Sequence, residues 1–329
     1  MKLIFLLTTI LLSLQMNAQS VREMHENAKL FMKQGDHSNA ILILNRALTI
    51  EPGNGALSKD LALAHYFRNE HTRALEVIKN VVEKDDADDQ SYIIAGNIYR
   101  ALNQPKDAEK LYRKAIKKFP TSGPLYNDLG ETLWGMKDLD AIKQWEKGIE
   151  TDPSYSKNYY NAARYYYLST NKVWSLIYGE IFVNMEPQGS KTPEMKEILL
   201  ESYKKFFSSP NMEIPKDARK FEREFIETLN RQAALASRGI SAETLTMIRA
   251  RFILEWFGQK NPQPSRLFSH HRQLMQEGMF NAYNQWLFGS VQNLSYFQNW
   301  INANSEEYNA FTSFIGSRIF RIPEGEYYK

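Results

Sequence analysis

The sequence predicts an all-α protein: an α-solenoid of stacked helix hairpins over residues 21–189, then an aromatic-rich helical domain over 190–329. Three observations carry this. Prolines at Pro52, Pro120, Pro153 and Pro187 are 68, 33 and 34 residues apart, so a unit of about 34 residues recurs. Within each unit, small and large apolar residues fall at helical spacing in two short segments. Nowhere does the chain show strand alternation, or the Asn-Gly or Asp-Gly turn of a strand hairpin.

The third unit, residues 89–120, shows the pattern most plainly. Tyr92, Gly96 and Tyr99 share one face of a first helix. Ala108, Tyr112 and Ala115 share a face of a second, and Pro120 closes it. The two segments join at Asn103–Lys106 and cannot bury their apolar faces alone, so hairpins must stack. Aligning on the helix ends gives five units. Met24, Ala28 and Phe31 precede Ala40, Leu44, Ala47 and Pro52 in the first; Leu61 and Ala62 precede Ala74, Ile78 and Val81 in the second. In the fourth, Tyr126, Gly130 and Leu133 precede Ala141, Trp145, Gly148 and Pro153. In the fifth, Tyr159, Ala163 and Tyr166 precede Ser175, Gly179, Phe182 and Pro187. Small residues let the helices approach closely and large ones fill the gaps beside them. Each proline then ends its helix by removing a donor and constraining the residue before it.

This register resembles the tetratricopeptide repeat, whose 34-residue unit has a small residue near position 8, alanines near 20 and 27, and a proline near 32. Ser58, Asp86 and Gly179 depart from that pattern. The resemblance implies a right-handed superhelix whose concave face is lined by the first helices. Carried onto this sequence, that face presents His25, Lys29 and Lys33, then Lys59, Tyr66 and Phe67, then Asn97 and Arg100. It continues with Asn127, Glu131 and Trp134, and ends with Lys157, Tyr160, Arg164 and Tyr167. Aromatic, Arg and Asn side chains along one groove suit an extended peptide or a partner helix. The alternative is that these residues solvate a scaffold face or contact the C-terminal half. Some family members clamp a C-terminal carboxylate with Lys and Asn at set groove positions; Asp60 and Asp128 stand where the clamp's asparagine is expected and would repel the ligand, so that activity is not carried over.

Beyond Pro187 the periodicity stops, and Gly189-Ser190 marks a junction. Thr192-Pro193-Glu194 opens a helix running to Phe207. Pro210 and Pro215 bracket a linker before a long amphipathic helix over Lys216–Ala236. Ser241 caps the next helix, with Ile240 placed to staple onto Leu245. Shorter helical pieces follow at Ser265–Gln276, Phe280–Leu287, Leu294–Ile301 and Ser305–Phe320. The many Phe, Tyr and Trp residues between Phe252 and Phe314 fall mostly at helical spacing, which suits a packed core that caps the solenoid. A pocket is the sharper reading, but no polar cluster accompanies the rings in sequence.

Residues 1–18 read as a secretory leader: Lys2, an apolar run from Leu3 to Leu14, then small residues, with cleavage after Ala18 or Ser20. A run of about a dozen residues falls short of the roughly 20 needed to span a bilayer. The expectation is an exported, soluble chain, periplasmic or extracellular. There is no cysteine, which excludes disulfides, thiolate metal sites and a thiol nucleophile. Net charge is +3, which gives no reason to expect nucleic acid. No phosphate-binding loop, dinucleotide fingerprint, nucleophile elbow or HExxH occurs. His270-His271 reads as a solvated pair, and Glu222, Glu224 and Glu227, interleaved with Arg and Lys, as a solvated helix face. Lys114, Lys117 and Lys118 read as cations placed by the helix dipole. No catalytic residue, metal or cofactor is expected. The function expected is a non-enzymatic scaffold that binds a cell-envelope protein or peptide. The alternative is a ligand-binding or hydrolytic protein with its site in the C-terminal helices and the repeats as docking arm. Homo-oligomerisation through the array is also open.

Overall fold

The computed structural model describes residues 20–208 and 212–326. The leader expectation falls outside them. No strand occurs among the described residues, so the all-α expectation holds. The chain divides into two compact units between Leu139 and Asp140. The first contains α1 (residues 20–33), α2 (His37–Ile50), α3 (Gly55–Phe67), α4 (His71–Val82), α5 (Asp89–Ala101), α6 (Pro105–Lys118) and α7 (Gly123–Gly135).

Local chemistry fixes these helices. Asp36 accepts from the Asn39 amide at 3.1 Å, Asn54 from Ala56 at 3.1 Å, and Asp88 from Ser91 at 3.0 Å, so each caps a helix. Pro105 and Pro124 lie in first turns, where a missing donor costs nothing. In this unit four described residues have positive φ: Gly35 at 77°, Asn69 at 60°, Asn103 at 57° and Lys137 at 63°. They recur every 34 residues and each turns a first helix into its second. The repeat is therefore written in the backbone as well as in the apolar residues. The hairpin core is as expected: Ala108, Tyr112 and Ala115 are fully buried. A Cβ at Gly96 would stand 2.2 Å from the Tyr112 ring, so glycine is what admits the tyrosine. First helices pack on one another, α3 on α5 and α5 on α7.

The second unit contains α8 (Ala141–Thr151), α9 (Ser156–Leu168), α10 (Val173–Met185), α11 (Thr192–Phe206), α12 (Lys220–Asn230), α13 (Ala233–Ala236) and α14 (Ala242–Gly258). After these come α15 (Arg266–Gln276), α16 (Phe280–Asn284), a π-helical turn at Gln285–Gly289, α17 (Ser290–Gln292), α18 (Leu294–Ala303) and α19 (Ser305–Ser317). The Gly189-Ser190 junction lies between α10 and α11. At the centre of the unit is α10, buried at every position from Val173 to Asn184. Gly179, which departs from the repeat pattern, lies where α11 comes closest: a Cβ there would stand 2.9 Å from Met195 Sδ. The long helix expected over Lys216–Ala236 is shorter, Lys220–Asn230, and Asn230 at its end turns its side chain to Met212. Its Nδ2 donates to the Met212 carbonyl at 2.9 Å and its Oδ1 accepts from the Met212 amide at 3.0 Å. Ser241 caps α14 as expected, in a box closed by Thr244.

Candidate interaction surface

Tyr66, Arg100 and Trp134 occupy the same register on α3, α5 and α7, 34 residues apart, near the end of each first helix. Trp134 is 37% exposed; Phe67, beside Tyr66, is 54% exposed. Tyr66 and Phe67 meet edge to face at 5.6 Å, and Phe67 stacks on His37 at 5.1 Å. Arg100 donates to Glu131 Oε2 at 3.0 Å and to Asn97 Oδ1 at 3.2 Å.

That arginine belongs to a ladder. His25 Nε2 meets Asp60 at 2.6 Å, Lys59 pairs with Asp88, and Asn97 reaches Asp128 at 3.5 Å. Each rung joins one first helix to the next hairpin, 29 to 35 residues on. Many of the polar side chains expected to face a partner thus cross-link neighbouring repeats. Asp60 and Asp128 are accounted for in the same way. Lys29 bonds within its own helix to Glu26 at 3.0 Å. Asn127 is 1% exposed and donates to Asp128 at 2.9 Å.

In the second unit, Tyr160 donates to Glu194 Oε2 at 2.8 Å and Arg164 lies 3.5 Å from Glu194 Oε1. Burial and the bond to Glu194 push the Tyr160 hydroxyl up to about 12. Lys205 lies 4.0 Å over the Tyr167 ring and Lys172 5.8 Å from it.

The sequence reading missed a buried polar network in this unit. Glu180 Oε1, on α10, accepts from Arg249, from His271 Nε2 at 2.8 Å and from the Tyr283 hydroxyl at 2.7 Å; Arg249 also donates to Asn284. Burial alone pushes the Glu180 carboxyl up, but the Arg249 charge with His271 and Tyr283 more than reverses this and holds it ionised. The aromatic core does carry a polar cluster, and the expectation of a solvated His270-His271 pair is wrong. His270 is 6% and His271 3% exposed, because α15 turns this face into the core. Glu222 of the expected solvated carboxylate face is likewise buried and takes a hydrogen bond from Asn171. Beside Glu180 there is about 10 Å³ of free space, room for a single water and no substrate. A second cavity of about 60 Å³, walled by His270, Trp286, Phe314 and Phe320, is well below the size of a drug-like ligand site. No group of three or more His, Asp or Glu among the described residues is arranged to hold a metal.

Two tetratricopeptide repeat family models match the chain, over residues 31–94 and 90–122. The N-terminal part therefore carries tetratricopeptide repeats, and neither model reaches the C-terminal part. Among solved structures, the chain is similar to TTC0263, a TPR protein of Thermus thermophilus, at 16% identity over 56% of this chain and 99% of that one, with a TM-score of 0.46. It is also similar to a tetratricopeptide repeat protein of Parabacteroides merdae, at 14% identity over 86% and 98%, TM-score 0.45. MamA of Desulfovibrio magneticus matches at 14% identity over 52% and 97%, TM-score 0.43.

Proposed function

We propose that this chain is an exported, non-enzymatic scaffold that holds an extended peptide or partner helix of a cell-envelope protein along the first helices of its N-terminal unit. The observation that carries the reading is the Tyr66–Arg100–Trp134 row. Aromatic faces at its two ends are accessible, and the ladder between the first helices fixes the spacing of the backbone that presents them. Anchors held on rigid elements lose little entropy on binding, so a few such side chains can supply most of the affinity. Arg100 keeps donors in a low-mobility position through Glu131, which suits recognition of backbone carbonyls. The leader sequence supports export. Among the described residues no helix is long and apolar enough to cross a membrane.

Photo-crosslinking tests this. With p-benzoylphenylalanine at Trp134 or Phe67, the same partner should be trapped from the envelope fraction. At Leu42, exposed on α2, it should not. Equal trapping from all three positions would defeat the proposal.

A further inference from the structure

A different face of the N-terminal unit carries a charge pattern that the first-helix row leaves unexplained. Between α4 and α6, with Tyr99 of α5 in its wall, lies an open groove of about 930 Å³. Six cations line it, Lys79, Lys106, Lys110, Arg113, Lys114 and Lys117, against the carboxylates of Glu83, Asp107 and Glu109. Arg113 is already tied to Glu109 at 2.8 Å. Lys106, Lys110, Lys114 and Lys117 make no ion pair or hydrogen bond among the described residues, whereas adjacent Lys118 donates to the Asp85 and Ala87 carbonyls at 2.6 and 3.1 Å.

The helix dipole accounts for Lys117 and Lys118 in the last turn of α6. It does not account for Lys106, which stands in the first turn, where cations are disfavoured. Lys106, Lys110 and Lys114 follow one another at four-residue spacing, which places like charges together and weakens an isolated helix. A negative partner lying along the stripe would relieve that repulsion. The floor beside it is not charged: Tyr99 and Leu111 are half-buried, and Val82 is buried between them.

We propose that this groove is a second docking surface, on the second-helix side of the unit, and that its occupant is an extended acidic peptide segment. Charge selects the sign. Spacing selects the conformation: four residues of helix rise about 6 Å, and alternate side chains of an extended peptide lie about 6.6–6.8 Å apart. Glu or Asp at every second position would meet Lys106, Lys110 and Lys114 in turn, and the intervening side chains would point to the opposite face, away from the lysines. A nucleic acid carries a phosphate at every residue, so some would stand against Glu83 and Asp107, whereas a peptide can place neutral residues there.

Fluorescence anisotropy with a labelled Glu-Leu-Glu-Phe-Glu-Glu peptide tests it, using the full chain at low and at moderate salt. The wild type should bind, more weakly as salt rises. Lys110→Glu/Lys114→Glu should lose roughly tenfold or more in affinity while its circular dichroism melt stays near wild type. Lys216→Glu/Lys260→Glu, at exposed lysines in neither surface and with the same change in net charge, should bind as wild type. Absence of wild-type binding, or equal loss in both double variants, overturns the proposal. So does tighter binding of a single-stranded RNA oligomer or of phosphatidylserine vesicles than of the peptide. If Lys110→Glu/Lys114→Glu unfolds, Lys110→Gln/Lys114→Gln is read by the same criterion. Failure here leaves the first-helix row untouched, since its residues lie elsewhere.

Discussion

Glu180 stands alone in an apolar run, with no charged residue for five positions on either side, yet the C-terminal unit closes around it. Its partners Arg249, His271 and Tyr283 lie 69, 91 and 103 positions away. No local spacing could announce them. The signal available was the lone acid itself, since a buried carboxylate must be met by a cation or several donors. His270, on the adjacent position of α15, has no such compensation: its Nε2 finds no hydrogen-bond partner among the described residues. Burial, with the nearby His271, Arg266 and Arg318, pushes it down to about 3. The sign follows. The unfolded chain takes up a proton near pH 6.5 and the folded one does not, so His270 costs nothing above that pH and opposes folding below it. Its contribution falls as pH drops from about 6.5 toward 3, by up to about 1.4 kcal/mol per pH unit. Urea unfolding of His270→Phe should show a shallower loss of stability between pH 6.5 and 4.5 than the wild type. Parallel profiles would mean that the histidine is protonated in the folded state.

At the scale of elements, the hairpins were legible because their determinants are local. Ala108, Tyr112 and Ala115 announce a buried helix face by spacing alone, and Gly96 announces the close approach that seats Tyr112. The turns were half legible. Gly35, Asn69 and Asn103 are residue types that accept positive φ, but Lys137 is not, and only the 34-residue register places it there. That strain is a usable prediction. Lys137→Gly should stabilise the chain by about 1 kcal/mol, seen as a rise of a few degrees in the circular dichroism melt. A fall would mean that the lysine side chain makes a contact worth more than the turn strain. The irregular elements were not legible at all. At the stop at Asn230 the side chain reaches back 18 positions to Met212. The π-helical turn at Gln285–Gly289 is met by Lys196, whose ammonium donates to the Trp286 carbonyl at 2.8 Å and lies 3.7 Å over the same ring. Long-range pairs of this kind leave no periodic trace.

For the molecule as a whole, the repeat register had two consequences, and the sequence showed only one of them. It placed Tyr66, Arg100 and Trp134 at equivalent positions, which is why a candidate row could be read without a structure. It also placed His25, Lys59, Asn97 and Arg100 opposite acidic residues of the following hairpins, and this the sequence concealed. The polar half of the expected groove works first as a brace. The accessible aromatic half is what remains for a partner. The most direct measurement is quantitative capture of envelope proteins by the wild type and by Tyr66→Ala/Arg100→Ala/Trp134→Ala, with a melt of each. Loss of one enriched partner at a melting temperature within a few degrees of wild type is the predicted result. Undiminished capture by a folded triple variant would contradict the account.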